Sequence, residues 1–127
     1  YKDEIGFRIK IHNISLLEDK LTQKSKKLID KAYDIFKYYK NYKIRVESHT
    51  SSKGREQKNL IKSEKIAKIV RDYLLTRGLN IKMVAFKGMG ETVPVYPKTH
   101  KWEYKNSRIE FVITKKIFKK SGILIEK

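Results

Sequence analysis

Cysteine is absent from the 127 residues, which removes disulfides, thiolate metal sites and a cysteine nucleophile together and leaves the redox compartment open. Also missing is any apolar run near the roughly 18 residues that cross a bilayer. Arginine is scarce, with six residues against 25 lysines, and alanine is confined to Ala32, Ala67 and Ala85. Acidic residues are few as well: 14 against 31 basic ones, for a formal net charge of +17. Clustered lysine attracts polyanions by releasing their counterions. The same lysine-, isoleucine- and tyrosine-rich composition is the bias of an AT-rich coding sequence, which spreads charge over solvated faces. Attraction to an anionic polymer, whether cell wall, membrane surface or nucleic acid, is the functional reading of the excess. There is no internal repeat, linker or low-complexity stretch, so one domain over 1–127 is expected, with its core over 5–114 and a basic tail over 115–127. The chain opens on Tyr1 without Met or a basic-then-apolar leader, as a piece of a longer precursor would.

What is present alternates strand and helix patterns. Ile5, Phe7, Ile9 and Ile11 alternate with Gly6, Arg8, Lys10 and His12, a first strand with one apolar face. The pattern then breaks over 13–20 into a loop whose Ile14, Leu16 and Leu17 could form part of a groove; packing beneath the loop is their plainer role. Thr22 is the expected N-cap of a helix with its stripe at Leu21, Ser25, Leu28, Ala32, Phe36 and Tyr39. Ile44 and Val46 against Arg45 and Glu47 make a second strand, apolar on one side and wet on the other. A polar turn over 49–57 leads into a second helix with Ile66, Val70, Tyr73 and Leu74 on one face, Lys58, Lys62, Lys65 and Arg71 on the other, and Gly78 as its C-cap. Ile81, Met83 and Ala85 predict a third strand facing inward, and Ile109, Phe111 and Ile113 a fourth. Two successive crossovers imply parallel strands with both helices on one face.

The junction of the second strand and second helix is where short polar side chains and exposed backbone donors gather, so a ligand pocket is expected there. The Gly88-Met89-Gly90 sequence lacks the rest of a phosphate-binding fingerprint and reads as a tight turn. Trp102, in the aromatic loop over 96–104, could stack on a sugar or base; capping the end of the core is its plainer role. His12, His49 and His100 lack metal-ligand spacing and no nucleophile–base pair is recognisable. Neither catalysis, a metal nor a cofactor is expected. The tail cluster Lys115, Lys116, Lys119 and Lys120 is open to three readings: strand continuation, docking of the 123–125 segment, or contact with an acidic surface.

Across the junction, Ser48-His49-Thr50-Ser51, Gly54, Asn59, Ser63, Ala67, Val70 and Gly78 stand at the spacing of a known pattern. Leu21-Thr22 at the first helix, Gly88-Met89-Gly90-Glu91 with Pro94, and Asn106-Ser107-Arg108-Ile109-Glu110 continue it in order. Together they resemble the OmpA-like peptidoglycan-binding domain. The resemblance implies an α/β (α+β) two-layer sandwich, β-α-β-α-β-β, with a four-stranded mixed sheet and two main helices on one face. It also implies a non-catalytic envelope module in the periplasm, associated with the cell wall or outer membrane. Peptidoglycan is the implied partner, other envelope proteins are further candidates, and no specific nucleic acid is expected.

Carried over by the resemblance, the ligand-binding positions are Thr50, Ser51, Asn59, Ser63, Ile66 and Arg108. Four positions depart from the family pattern: Ser48 for glycine, Ser51 for aspartate, Lys62 for leucine and Ile66 for arginine. In the family, the aspartate and the helix arginine hold the zwitterionic end of diaminopimelate. Ser51 offers a neutral hydroxyl and Ile66 no polar group at all. Losing two charge-assisted bonds removes up to about 3 to 6 kcal/mol, or roughly a hundred- to ten-thousand-fold in affinity. Three functions therefore stand: a wall module for a different diamino acid whose amine is met by Glu47, Glu56 or Glu64; a degenerate domain serving protein interaction or structure; and a lysine-driven polyanion binder, marked by steep salt dependence.

Overall fold

The computed structural model describes residues 2–39 and 42–117. Among the described residues, six strands and two helices run in the order β1 (Lys2–Ile11), β2 (Leu16–Leu17), β3 (Lys20–Leu21), α1 (Gln23–Phe36), β4 (Lys43–His49), α2 (Glu56–Thr76), β5 (Val84–Gly90) and β6 (Arg108–Ile117), with 3-10 turns at Ile81–Met83 and Glu103–Asn106. The main sheet has the order β1-β6-β4-β5. β6 is antiparallel to both β1 and β4, while β4 and β5 are parallel. β1, β4 and β5 thus share one direction, as the crossovers require, and the returning β6 makes the sheet mixed. The first three residues of the basic tail continue β6, with Ile117 opposite Lys2; 118–127, including the 123–125 segment, lie outside the described residues.

The core lies on one side of the sheet. Ile44 and Val46 of β4, Val84 of β5, and Ile109, Phe111 and Ile113 of β6 meet Ile29, Ala32 and Phe36 of α1 and Ala67, Val70 and Leu74 of α2. Phe36 and Phe111 stack tilted at 5.5 Å between ring centroids. Each of these larger side chains, fully buried, contributes about 1.5–3 kcal/mol relative to exposure. Thr22 caps α1 as expected: its hydroxyl accepts the Ser25 N–H at 3.2 Å. Gly78 sits past the end of α2 at φ +101°, its amide donating to the Leu75 carbonyl at 3.0 Å.

Five local expectations are corrected. The 13–20 segment is no simple loop: β2 and β3 form a hairpin whose two central residues, Glu18 and Asp19, both have positive φ (51° and 63°). That is the twist a two-residue hairpin demands, usually written with Asn-Gly, so Glu-Asp gave no signal for it. The third strand starts later and faces the other way: 81–83 is a 3-10 turn with Ile81 exposed, and Val84, not Ala85, enters the core. Gly88 and Gly90 belong to that strand, not to a turn. A Cβ on Gly88 would meet the Glu64 backbone and, at 2.7 Å, the Ser63 hydroxyl, so glycine is what lets α2 lie directly on β5. On α1, Ile29 is the innermost aliphatic residue, with Leu28 half-buried and Tyr39 beyond the helix. Arg71 leaves the polar face of α2 to lie 4.7 Å from the Phe86 ring centroid.

Candidate functional site

At the carboxyl end of β4 the sheet opens into a groove of about 930 Å³. One wall is the 12–16 segment, held to α1 by Ser25, whose buried hydroxyl donates to the Ser15 carbonyl and accepts the Ser15 N–H at 2.7 Å. Ser25 thus belongs in the helical stripe for its hydrogen bonds. A second wall is the first half of α2, with Asn59, Lys62 and Ile66; the third is the loop before β6, with Tyr96, Tyr104, Lys105 and Ser107. The opening lies where a parallel strand ends, as ligand sites in open α/β sheets do.

Of the six residues expected from the sequence, five line this groove: Thr50, Ser51, Asn59, Ile66 and Arg108. Ser63 does not. It is fully buried, its hydroxyl donating to the Leu60 carbonyl and accepting the Gly90 N–H at 2.9 Å, which joins α2 to the end of β5. Asn59 is a brace as much as a lining residue: its amide nitrogen reaches the carbonyls of Ser51 (3.3 Å) and Lys53 (3.2 Å) and the Glu91 carboxylate (2.8 Å). Two protons shared among three acceptors fix the β4–α2 loop. That loop is also tied to the opposite wall, since the Ser51 N–H donates to the Ser107 hydroxyl at 3.0 Å and the Ser52 N–H to the Glu103 carboxylate at 2.7 Å. The bond from Ser52 is the main reason the Glu103 carboxyl is held below its ordinary pKa.

Arg108 lines the groove but spends its donors inward. Its Nε donates to Glu110 at 2.6 Å, Nη1 to the Asn106 carbonyl at 2.8 Å and Nη2 to the Val93 carbonyl at 3.0 Å. It belongs to an ion network on the sheet face away from the core. Here Glu47, expected on a wet face, is buried instead, and the register sets it directly opposite Glu110. Like charges so placed repel. Arg8 bridges the two carboxylates at 3.1 and 2.8 Å, and Arg45 pairs with Glu47 at 2.7 Å. Burial alone would raise both carboxyl pKa values; the guanidiniums of Arg45 and Arg8 at Glu47, and of Arg108 and Arg8 at Glu110, outweigh it and hold both below the ordinary value.

His49 stands against this network, Nε2 3.5 Å from Glu47 and 3.9 Å from Glu110, and both its ring nitrogens are buried without a hydrogen-bond partner among the described residues. Burial, then the Arg108 charge, lowers its pKa below the ordinary value against the pull of the carboxylates. Ligand atoms of Glu47, His49 and Glu110 lie within 4.8 Å of one another, a grouping that histidine spacing did not foretell. Three guanidiniums already answer the two carboxylates, so a divalent cation would have to displace them and add to a net positive cluster. The arrangement suits an internal ion network better than a metal centre.

Ile14 and Leu16, for which a groove is one of two readings from the sequence, do line it, and residues that sequence reasoning left out complete it: Lys53, Lys62, Tyr96, Tyr104 and Lys105. Only register and loop packing bring them together, and neither has a local signal. Glu47, Glu56 and Glu64, expected to offer a carboxylate to an amine, do not line it. Trp102 does not cap the core; it stays 42 % exposed in a surface cluster with Tyr96 and His100, with the Lys105 ammonium 4.7 Å from its ring centroid.

Comparison with known proteins gives a consistent answer. The model of the OmpA family matches residues 18–108. The peptidoglycan-binding protein ArfA of Mycobacterium tuberculosis is 30% identical over 87 residues, which are 68% of this chain and 27% of that protein. The chain thus spans about a quarter of the length of that curated relative. Among solved structures, a MotB-like protein of Desulfovibrio vulgaris superposes with a TM-score of 0.73 at 19% identity, over 86% of this chain and 75% of that one. The peptidoglycan-associated lipoprotein of Burkholderia pseudomallei gives 0.66 at 16% identity, over 84% and 89%. At such identities the structural likeness speaks to the fold, and it is the mixed four-stranded sheet with two helices described above.

Proposed function

The chain belongs to the OmpA family, and from that premise we propose that it is a non-catalytic module of the cell envelope that associates non-covalently with peptidoglycan, in the periplasm, through a groove whose ligand chemistry differs from the family's. The observation that carries this reading is convergence: Thr50, Ser51, Asn59, Ile66 and Arg108, separate in sequence, line one groove at the end of β4. The peptidoglycan-binding relative supports the polymer. Ser51 and Ile66, standing where the family pattern has its acid and base, support the change of chemistry. A groove with a hydroxyl and an aliphatic side chain at those two places has no charge pair for the zwitterion of diaminopimelate.

The test is co-sedimentation of the chain with purified sacculi, from its own source and from a diaminopimelate-type wall, at low and high salt. Sedimentation with the native wall that persists in salt is expected. Weak binding to the diaminopimelate-type wall is expected too, rising in the Ser51→Asp/Ile66→Arg double variant, which supplies the family's two charges at residues that line the groove. If neither wall carries the chain down, the wall reading fails and a protein-interaction module takes its place. Sedimentation with both walls that disappears in salt would assign the binding to lysine charge alone.

A further inference from the structure

Among the described residues, none that lines the groove is an aspartate or glutamate, while Lys53, Lys62 and Lys105 all border it. The nearby carboxylates are committed elsewhere. Glu47 and Glu110 are held by arginines, Glu91 accepts from Asn59, and Glu103 accepts from the Ser52 N–H and from Asn106. The lysines are not so engaged: among the described residues Lys53 and Lys62 have no carboxylate partner, and Lys105 rests on the Trp102 ring, a contact that leaves its charge in place. At the floor, the Thr50 hydroxyl and both ring nitrogens of His49 are buried without hydrogen-bond partners among the described residues. Ile14, Leu16, Ile66 and Ile109 supply an apolar lining between these polar groups.

We propose that the groove recognises free carboxylates: its ligand is a peptide end carrying two of them, set on Lys53, Lys62 and Lys105, with the aliphatic stem against Ile14, Leu16 and Ile66 and its amine left unread. The assignment deepens the wall reading, since a stem peptide offers such an end, and it reverses the expectation that an amine is met by a glutamate. A bare phosphate matches the charge and leaves the apolar lining unused, which favours an aliphatic carboxylate.

The probes are three forms of the N-acetylated tripeptide L-Ala-γ-D-Glu-L-Lys, titrated into the full chain at about 50 mM salt, where surface charge is only partly screened. One is unmodified, one has its side-chain amine acetylated, and one has both carboxylates amidated. The acetylated form should bind as well as the unmodified one, and the diamide at least about tenfold more weakly, the change expected from losing a charge-assisted contact. Lys62→Gln and Lys105→Gln should each weaken the dicarboxylate several-fold, leaving thermal unfolding in place. Equal binding of the diamide, loss of binding on amine acetylation, full competition by inorganic phosphate at equal ionic strength, or no saturation by about 5 mM dicarboxylate would each overturn the assignment. Sacculi run in parallel separate the two ideas. Sedimentation with no amidation effect sinks the carboxylate assignment alone; dicarboxylate binding without sedimentation sinks the wall reading alone.

Discussion

Arg8 holds together two carboxylates that the register sets face to face. Replacing it by methionine keeps the length of the stem and leaves Glu47 with Arg45 alone and Glu110 with Arg108 alone, face to face without the guanidinium that bridges them. Breaking a buried pair costs about 3–5 kcal/mol; because the Arg8 side chain is 37% exposed and solvent screens part of the charge, about 2 kcal/mol is expected here. Urea unfolding at pH 7 reads it, and Glu110→Gln added to Arg8→Met should recover part of the loss. Acid acts on the same network. His49 has a folded pKa below its ordinary 6.5, so the unfolded chain binds the proton more readily, and stability falls as pH drops below about 6.5 until the folded pKa is passed. Glu47 and Glu110, depressed below 4.5, contribute stability that is present above that value and lost as pH falls through their folded pKa values. The urea midpoint should therefore decline in two stages on acidification, and His49→Gln should remove the upper one.

At the scale of elements, the close approach of α2 to β5 is the feature most exposed to a single change. Gly88→Ala would push a methyl group into the Glu64 backbone, which cannot move aside as a side chain tip can; overpacking of this kind costs about 1–3 kcal/mol or more. Ser63→Ala should cost about 1–3 kcal/mol by leaving the Gly90 N–H buried and unpaired. Both are read as shifts in denaturant midpoint with unchanged slope. These contacts also mark what the sequence could convey. Helix α1 with its Thr22 cap, strand β4, helix α2 with Gly78 and strand β6 follow from period and capping alone, because each has a strong local signature. The β2–β3 hairpin and the start of β5 do not, since one depends on left-handed Glu18 and Asp19 and the other on a 3-10 turn that moves the strand by three residues. For the groove, the place at the junction of β4 and α2 could be read from the polar turn between a strand and a helix, while Thr50, Ser51, Asn59, Ile66 and Arg108 are implied by the family resemblance. The lysines on its rim and the burial of Glu47 depend on which strands and loops become neighbours, and no local pattern carries that.

Over the whole molecule, a net charge of +17 on 127 residues means that self-repulsion is substantial. Several of the ion pairs on the surface, such as Lys68–Asp72 and Lys65–Asp19, are largely exposed and contribute little. Added salt should then stabilise the fold by screening: the thermal midpoint should rise between about 10 and 200 mM NaCl, where the Debye length shortens from roughly 30 to below 10 Å. A midpoint that falls would mean that attractive pairs outweigh repulsion. Asn106 has a different reach. Its side-chain oxygen accepts the amides of Val95 and Tyr96 at 2.7 and 2.8 Å, and its nitrogen donates to the Tyr96 carbonyl at 2.9 Å, so one buried residue pins the loop that forms a groove wall. A wall already fixed has little freedom left to surrender when a ligand arrives, so association should proceed without a slow ordering step and affinity should be governed by dissociation. The Val95 backbone amide, in a residue that is 48% exposed, should accordingly exchange with deuterium as slowly as one inside the sheet.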